Sequence, residues 1–297
     1  MKIINTIQRN LFEDDAKTHE GHVYFFKLFE LFIVLDAIKL AWEWGLYTLK
    51  IQDVVLPLGM AQYIDISFMH GNNLPLINAA LISVLALVAY FRQGSRWQYF
   101  IVAILFHFQY VARFSIGEIP HSANLIGMSI LAFGTGFIAF KDANQRIRFI
   151  MGIILFFTGL GYTTAAFSKL IGTGISWVDG RHLWLWMAEK GTDILSREGV
   201  FANNFLQNLA FQYIPVATLI LIIGLVTEFF GFLMWFKKTR PFATLFIIGM
   251  HVGITLTMNI RFDSFVIELI FIGFPWAALF FKYRDKLPLS ESIQKIA

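Results

Sequence analysis

The sequence predicts an all-α fold: a polytopic integral membrane helix bundle of about eight transmembrane helices with both termini cytoplasmic. Three observations predict it. The 297 residues are 57% hydrophobic and only 15% charged, with a mean hydropathy of +0.63, whereas a soluble domain is about 45–50% apolar and about 25% charged. Many separate apolar stretches approach the roughly 20 residues that cross the hydrocarbon. Lysine and arginine then alternate between the two sets of loops.

The expected helices, in order, are 23–47, 74–91, 99–114, 124–140, 149–170, 213–236, 241–260 and 264–282. The first carries Lys27, Glu30, Asp36 and Lys39. Charges are costly in lipid, so these must face protein or water or pair with one another. Lys27 and Glu30 lie three residues apart, as do Asp36 and Lys39, so each pair shares a helical face. An amphipathic helix lying on the membrane is the alternative for this stretch. The N-terminal tail, the C-terminal tail and the loops after the second, fourth and sixth helices hold 15 lysines and arginines. The opposite loops hold seven, spread over more residues. The positive-inside bias therefore places both termini in the cytoplasm, and a seven-span arrangement breaks the alternation.

The expected organisation is a cytoplasmic tail at 1–22, a membrane domain at 23–282 and a cytoplasmic tail at 283–297. The first 22 residues lack the features of a cleavable signal, so the first span is expected to act as an uncleaved anchor. The one long connection, 171–212, falls on the extracytoplasmic side and contains Trp177, Trp184 and Trp186. Short interfacial helices are expected in it at 182–189 and 201–210.

With no cysteine, the chain offers no disulfide, thiolate nucleophile or cysteine-ligated metal. His70, His107, His121 and His251 match no local ligand spacing, so no metal is expected. A net charge of +4 is accounted for by loop residues and predicts no nucleic-acid partner. No metalloprotease, phosphate-loop or nucleophile-elbow motif occurs. Gly134-Thr135-Gly136 and Gly159-Leu160-Gly161 read as close helix packing.

The candidate chemistry lies in a few polar residues. Lys169 ends a membrane-length helix near its outer boundary, either as a snorkelling lysine or as a partly buried general base. His121 follows Glu118-Ile119-Pro120 and is read either as an interfacial turn residue or as an acid–base group on the same side as Lys169. Glu228 and His251 are ionisable groups within spans, candidates for function or for helix-packing contacts. His107 and Gln109 carry the same ambiguity. Asp179, in the Trp177-x-Asp179-Gly180 turn, is read as structural. Asn259, Arg261 and Asp263 either bind an anionic group or terminate helices.

Lys169-Leu170, followed by Trp177-Val178-Asp179-Gly180, resembles a motif of the horizontally transferred transmembrane (HTTM) domain, the membrane part of vitamin K-dependent gamma-carboxylases. His121-Ser122-Ala123-Asn124-Leu125, Glu228-Phe229-Phe230-Gly231 and the segment from His251 to Phe265 look like further family segments in the expected order. The resemblance covers about residues 100–280. It implies that Lys169 deprotonates a reduced naphthoquinone of the vitamin K or menaquinol type, with His121 assisting. It implies that Trp177, His251, Glu228 and Asn259 serve the cofactor. Oxygen then generates a strong base that leads to carboxylation of a glutamate, a lyase reaction. The chain stops at Ala297, soon after the eighth span, which makes it more like short bacterial members. Some of those act in the maturation of secreted peptides.

Three functions follow as expectations. One is a quinol-dependent carboxylase- or monooxygenase-like enzyme of the bacterial inner membrane with an outward-facing site. The second is a non-catalytic membrane factor for maturation, export or immunity of a secreted peptide. The third is a small-solute transporter. An enzyme depends on Lys169 and His121, a transporter on Glu228 and His251.

Overall fold

The computed structural model describes residues 2–13, 19–50, 56, 58–92, 95–117 and 123–283. These are helical, with no strand among them. The helices are α1 (Lys2–Phe12), α2 (His19–Lys50), α3 (Leu74–Tyr90), α4 (Gln98–Phe114), α5 (Ala123–Ala139) and α6 (Ala143–Thr173). Then follow α7 (Gly180–Glu198), α8 (Phe205–Gln212), α9 (Ile214–Phe229), α10 (Arg240–Met258), α11 (Asp263–Gly273) and α12 (Trp276–Tyr283). Three segments are long and apolar enough to cross a membrane: Ala143–Val178, Ile214–Trp235 and Arg240–Met258. Shorter apolar helices are Leu74–Tyr90 and Asn124–Ala139.

One expectation needs correction. The stretch 264–282 is two helices, because Pro275 lacks an N–H and forces the residue before it into extended backbone. Phe274 accordingly has ψ 156° and ends α11. The polar N-terminal stretch contains a helix, α1, whose Leu11 is buried. The long connection does carry two helices, α7 and α8, and α7 is longer than the stretch 182–189 expected for it.

The chain forms two compact units, one of Met1–Leu11 and Leu155–Phe274, the other of Phe12–Ile154 and Pro275–Ala297. In the second unit α2 packs against α3, α4, α5 and α12. One face of α2 is inaccessible to solvent at Phe29, Ile33 and Ala41, and the other presents Leu28, Leu35, Trp42 and Leu46. Lys27 and Glu30 pair at 3.3 Å as their spacing predicts, whereas Lys39 turns to Glu43 at 3.9 Å instead of Asp36. Gln109 donates to the carbonyls of Ala41 and Pro75 and accepts from Asn78 at 2.8 Å, so it is a packing residue. Gly134 and Gly136 do mark close packing. A Cβ on Gly134 would lie 2.7 Å from Phe100 Cα, and one on Gly136 would lie 2.5 Å from Ile150 Cγ1.

In the first unit the 3₁₀ segment Phe230–Trp235 continues α9 and lies against α6. The contact is a glycine seam. A Cβ on Gly159 would lie 2.4 Å from Trp235 Nε1, and one on Gly231 would lie 2.5 Å from Tyr162 Cβ. Trp235 Nε1 donates to the Phe156 carbonyl at 3.0 Å. Gly161 has open space around it, so only the first glycine of its pair packs.

Local capping fixes the long connection. Asp179 caps α7, accepting from Arg181 N at 3.0 Å, and Gly199 ends that helix in the left-handed region at φ 72°. Asn204 and Gln207 form a capping box at the start of α8. Their amides also donate to the Leu256 and Thr257 carbonyls at 2.6 and 2.9 Å. These are last-turn carbonyls of α10 that have no partner within their own helix. Gly180 lies against α9, where an added Cβ would be 2.6 Å from the Ile214 carbonyl oxygen.

Candidate functional site

The C-terminal ends of α6 and α9 meet at an ion pair. Lys169 Nζ donates to both carboxylate oxygens of Glu228. Neither side chain is fully withdrawn, with 26% of Lys169 and 13% of Glu228 exposed. Lys169 Nζ also lies 5.1 Å from the ring centre of Trp177, within cation–π range. Trp177 leans on Trp186 of α7 at 5.7 Å, and His182 Nδ1 faces the Trp177 carbonyl at 3.2 Å. The sequence separates a boundary lysine from a glutamate deep in a span; the ion pair sets them at one depth. From Ile214 to Glu228, α9 rises roughly 21 Å, and this stretch packs against α7 and α8.

Lys169, Trp177 and Glu228 line one cavity of about 760 Å³. Its walls are mainly apolar residues of α9 and α10, with Leu183 and Trp186 of α7. Along α10 it reaches from Phe242 to Met258, an elongated shape roughly 24 Å in helix rise. Three glycines make the room. Gly224, Gly249 and Gly253 line the cavity, and a Cβ on any of them would meet nothing within 4 Å. Gly249 and Gly253 form a G-x-x-x-G spacing that usually reads as helix packing, yet here it faces open volume. Phe242, Leu245 and Phe246 are exposed, which leaves the cavity an apolar side opening.

The remaining sequence candidates fall elsewhere. His251 does not line this cavity; its Nε2 lies 2.6 Å from Tyr162 Oη, and its ring lies 4.4 Å from Phe262 and 5.3 Å from Phe265. His251 Nδ1 is buried with no partner among the described residues. Asn259 ends α10 in the left-handed region at φ 56°, and Asp263 is the first residue of α11; neither lines this cavity. His121 lies outside the described residues. His107, in the second unit, places Nε2 2.8 Å from Met60 Sδ and lines a cavity of about 610 Å³ with Tyr110 and Asn124. Asp179, outside the apolar segments, is held at about 2 by the Arg181 side chain, which donates to both its carboxylate oxygens.

Sequence reasoning missed Tyr162, the partner of His251, and the glycines that open the cavity. Tyr162 carried no signal, since a single tyrosine in an apolar helix is unremarked. The G-x-x-x-G spacing was visible, but its direction was not.

The described residues contain no group of three or more histidines, aspartates or glutamates able to hold a metal ion. A scan against protein-family models and searches among curated proteins and solved structures found no match.

Proposed function

We propose that the chain is an eight-span protein of the bacterial inner membrane, with cytoplasmic termini, that acts on a reduced naphthoquinone at the Lys169–Glu228 cavity. One observation carries this reading: an amine, a carboxylate and an indole converge on an elongated apolar cavity with a side opening. Ligand sites commonly combine apolar walls with a few convergent polar groups. The exposed apolar residues Leu219, Ile222, Ile223 and Val226 of α9 suit contact with lipid.

The residues fit such a cofactor. Lys169, Glu228 and Trp177 would hold its ring, and the apolar residues of α9 and α10 around Gly224, Gly249 and Gly253 would hold its tail. When bound, the reduced quinone supplies an acidic hydroxyl and, with oxygen, the strongly basic chemistry that the family resemblance implies. For Lys169 to accept that hydroxyl proton its amine must be neutral, and Glu228 is the group beside it that can take the ammonium proton. Apolar walls favour the exchange, because a neutral amine–acid pair loses less on desolvation than an ion pair does. Trp177 holds the ammonium by its ring face and so opposes the same step. A secreted peptide is the proposed acceptor substrate.

The ion pair itself favours a second reading, a non-catalytic membrane factor in which Lys169 and Glu228 neutralise each other and tie α6 to α9. Quinol oxidation in membranes carrying the protein, with chromatography for the quinone epoxide, separates the two. Lys169→Ala is expected to lower epoxide formation about 100-fold or more, the usual range for loss of a general base. Gly253→Leu adds a side chain where a Cβ meets nothing within 4 Å and occupies cavity volume, and is expected to lower it at least about tenfold at unchanged expression. No epoxide from the intact chain with several naphthoquinols overturns the enzymatic reading and leaves the non-catalytic one.

A further inference from the structure

The second unit contains a cluster whose charges do not balance. Glu30 is inaccessible to solvent and accepts from Arg92 Nη2 at 2.8 Å and from Arg92 Nη1 and the Tyr99 hydroxyl. Lys27 Nζ lies 3.3 Å from the same carboxylate and donates to the Tyr90 carbonyl at 2.8 Å. These contacts use both oxygens of Glu30. Arg146 makes no hydrogen bond to it and is attracted to Glu30 and Asp142 only through space, although it is only 9% exposed. Its guanidinium lies 4.3 Å from the centre of the Phe137 ring, and that of Arg92 lies 4.4 Å from the same centre. The two guanidiniums are therefore neighbours about one aromatic ring.

The unmet hydrogen bonds point the same way. Nε of Arg92, Arg146 and Arg148 is buried in each case with no partner among the described residues. Asp142, the acid nearest Arg146 in sequence, caps α6 by accepting from Gln145 N at 2.9 Å. Among the described residues four cations, Lys27, Arg92, Arg96 and Arg146, act on one another around two carboxylates, Glu30 and Asp142, an excess of two positive charges. Buried charges persist when paired and hydrogen-bonded. The cluster sits where α3 and α5 end and α4 and α6 begin, so two helix N-termini add positive potential.

We propose that this cluster binds a phosphate group, either the headgroup phosphate of an anionic lipid or a soluble phosphate. A phosphate monoester carries the charge that balances the excess, and its oxygens suit the guanidinium fork. Basic pockets at the membrane surface between helices take anionic headgroups in this way. The site is independent of the Lys169 cavity and of any activity there.

The test is thermal unfolding of the intact chain in neutral detergent. The probes are phosphatidic acid, phosphatidylglycerol, phosphatidylcholine and inorganic phosphate, each at matched ionic strength. A saturating anion is expected to raise Tm by about 2–5 °C, with phosphatidylcholine giving no shift. A shift with the anionic lipids alone identifies a headgroup site; a shift with inorganic phosphate identifies a soluble one. Arg146→Gln is expected to lose most of the shift. If Arg146→Gln does not fold, retention of lipid or phosphate adducts by the intact chain in native mass spectrometry decides the matter. No shift and no adduct, or an equal shift in Arg146→Gln, overturns the proposal.

Discussion

Glu228 in the first unit and Glu30 in the second are both largely withdrawn from solvent, and each meets cations from a distant part of the chain. Glu228 meets one amine, beside an open cavity. Glu30 meets Arg92, Lys27 and the Tyr99 hydroxyl, and no solvent reaches it. A carboxylate with every lone pair engaged fixes helix positions and has no capacity left for chemistry. A carboxylate with one partner and a free approach from a cavity retains somewhere for a proton to go. The number of partners, more than burial, separates a structural acid from a candidate functional one here.

The largest expected effect comes from breaking the closed network. Glu30→Ala leaves Lys27 and Arg92 facing each other without a carboxylate, and should cost about 3–5 kcal/mol, as loss of one partner of a buried pair does. Thermal unfolding and expression level report it directly.

The open pair should cost less. Lys169→Ala or Glu228→Ala is expected to lose about 1–3 kcal/mol, reduced because both groups retain solvent contact. The double variant Lys169→Leu with Glu228→Leu should recover most of the loss, since neither charge is then left alone. A double-mutant cycle on Tm measures the coupling. If either single variant destabilises as much as Glu30→Ala, the distinction between the two carboxylates fails.

How much of this was legible in the sequence depends on range along the chain. The Lys27–Glu30 pair was readable because three residues bring two side chains to one helical face. The Asp36–Lys39 pair failed by the same reasoning, since Glu43, four residues on from Lys39, is reached instead. Contacts between Lys169 and Glu228, or between Glu30 and Arg92, join residues about 60 apart. No periodicity encodes such a meeting. Most helices were readable from apolar length. The break at Phe274 was also written in the sequence, in Pro275, and was outweighed by the apolar run around it. The candidate site was half legible: Lys169, Glu228 and Trp177 converge, Asn259 ends α10 and does not line the cavity, and His251 packs against Tyr162 away from the cavity.

The smallest expected effect concerns Asp179, whose partner Arg181 is exposed. Its carboxylate titrates at about 2 in the folded chain, against about 3.9 when unfolded. The folded value is the lower one, so its contribution is complete above about pH 4 and is lost as pH falls through about 2. Asparagine caps a helix without titrating. The Tm difference between the intact chain and Asp179→Asn should therefore be flat from pH 7 to about 4 and change only below that. A change centred near neutral pH would contradict the assignment.

The glycine seam between α6 and Phe230–Trp235 bears on how this gene can drift. Every single-base change in a glycine codon that alters the amino acid and does not introduce a stop adds a Cβ. At Gly159 that atom would land on the Trp235 indole, and at Gly231 on Tyr162. At Gly161 it would meet open space. Codons only two apart are thus under opposite selection, one nearly frozen and its neighbour nearly free. A saturation library scored for membrane expression would register Gly159 and Gly231 as intolerant and Gly161 as tolerant.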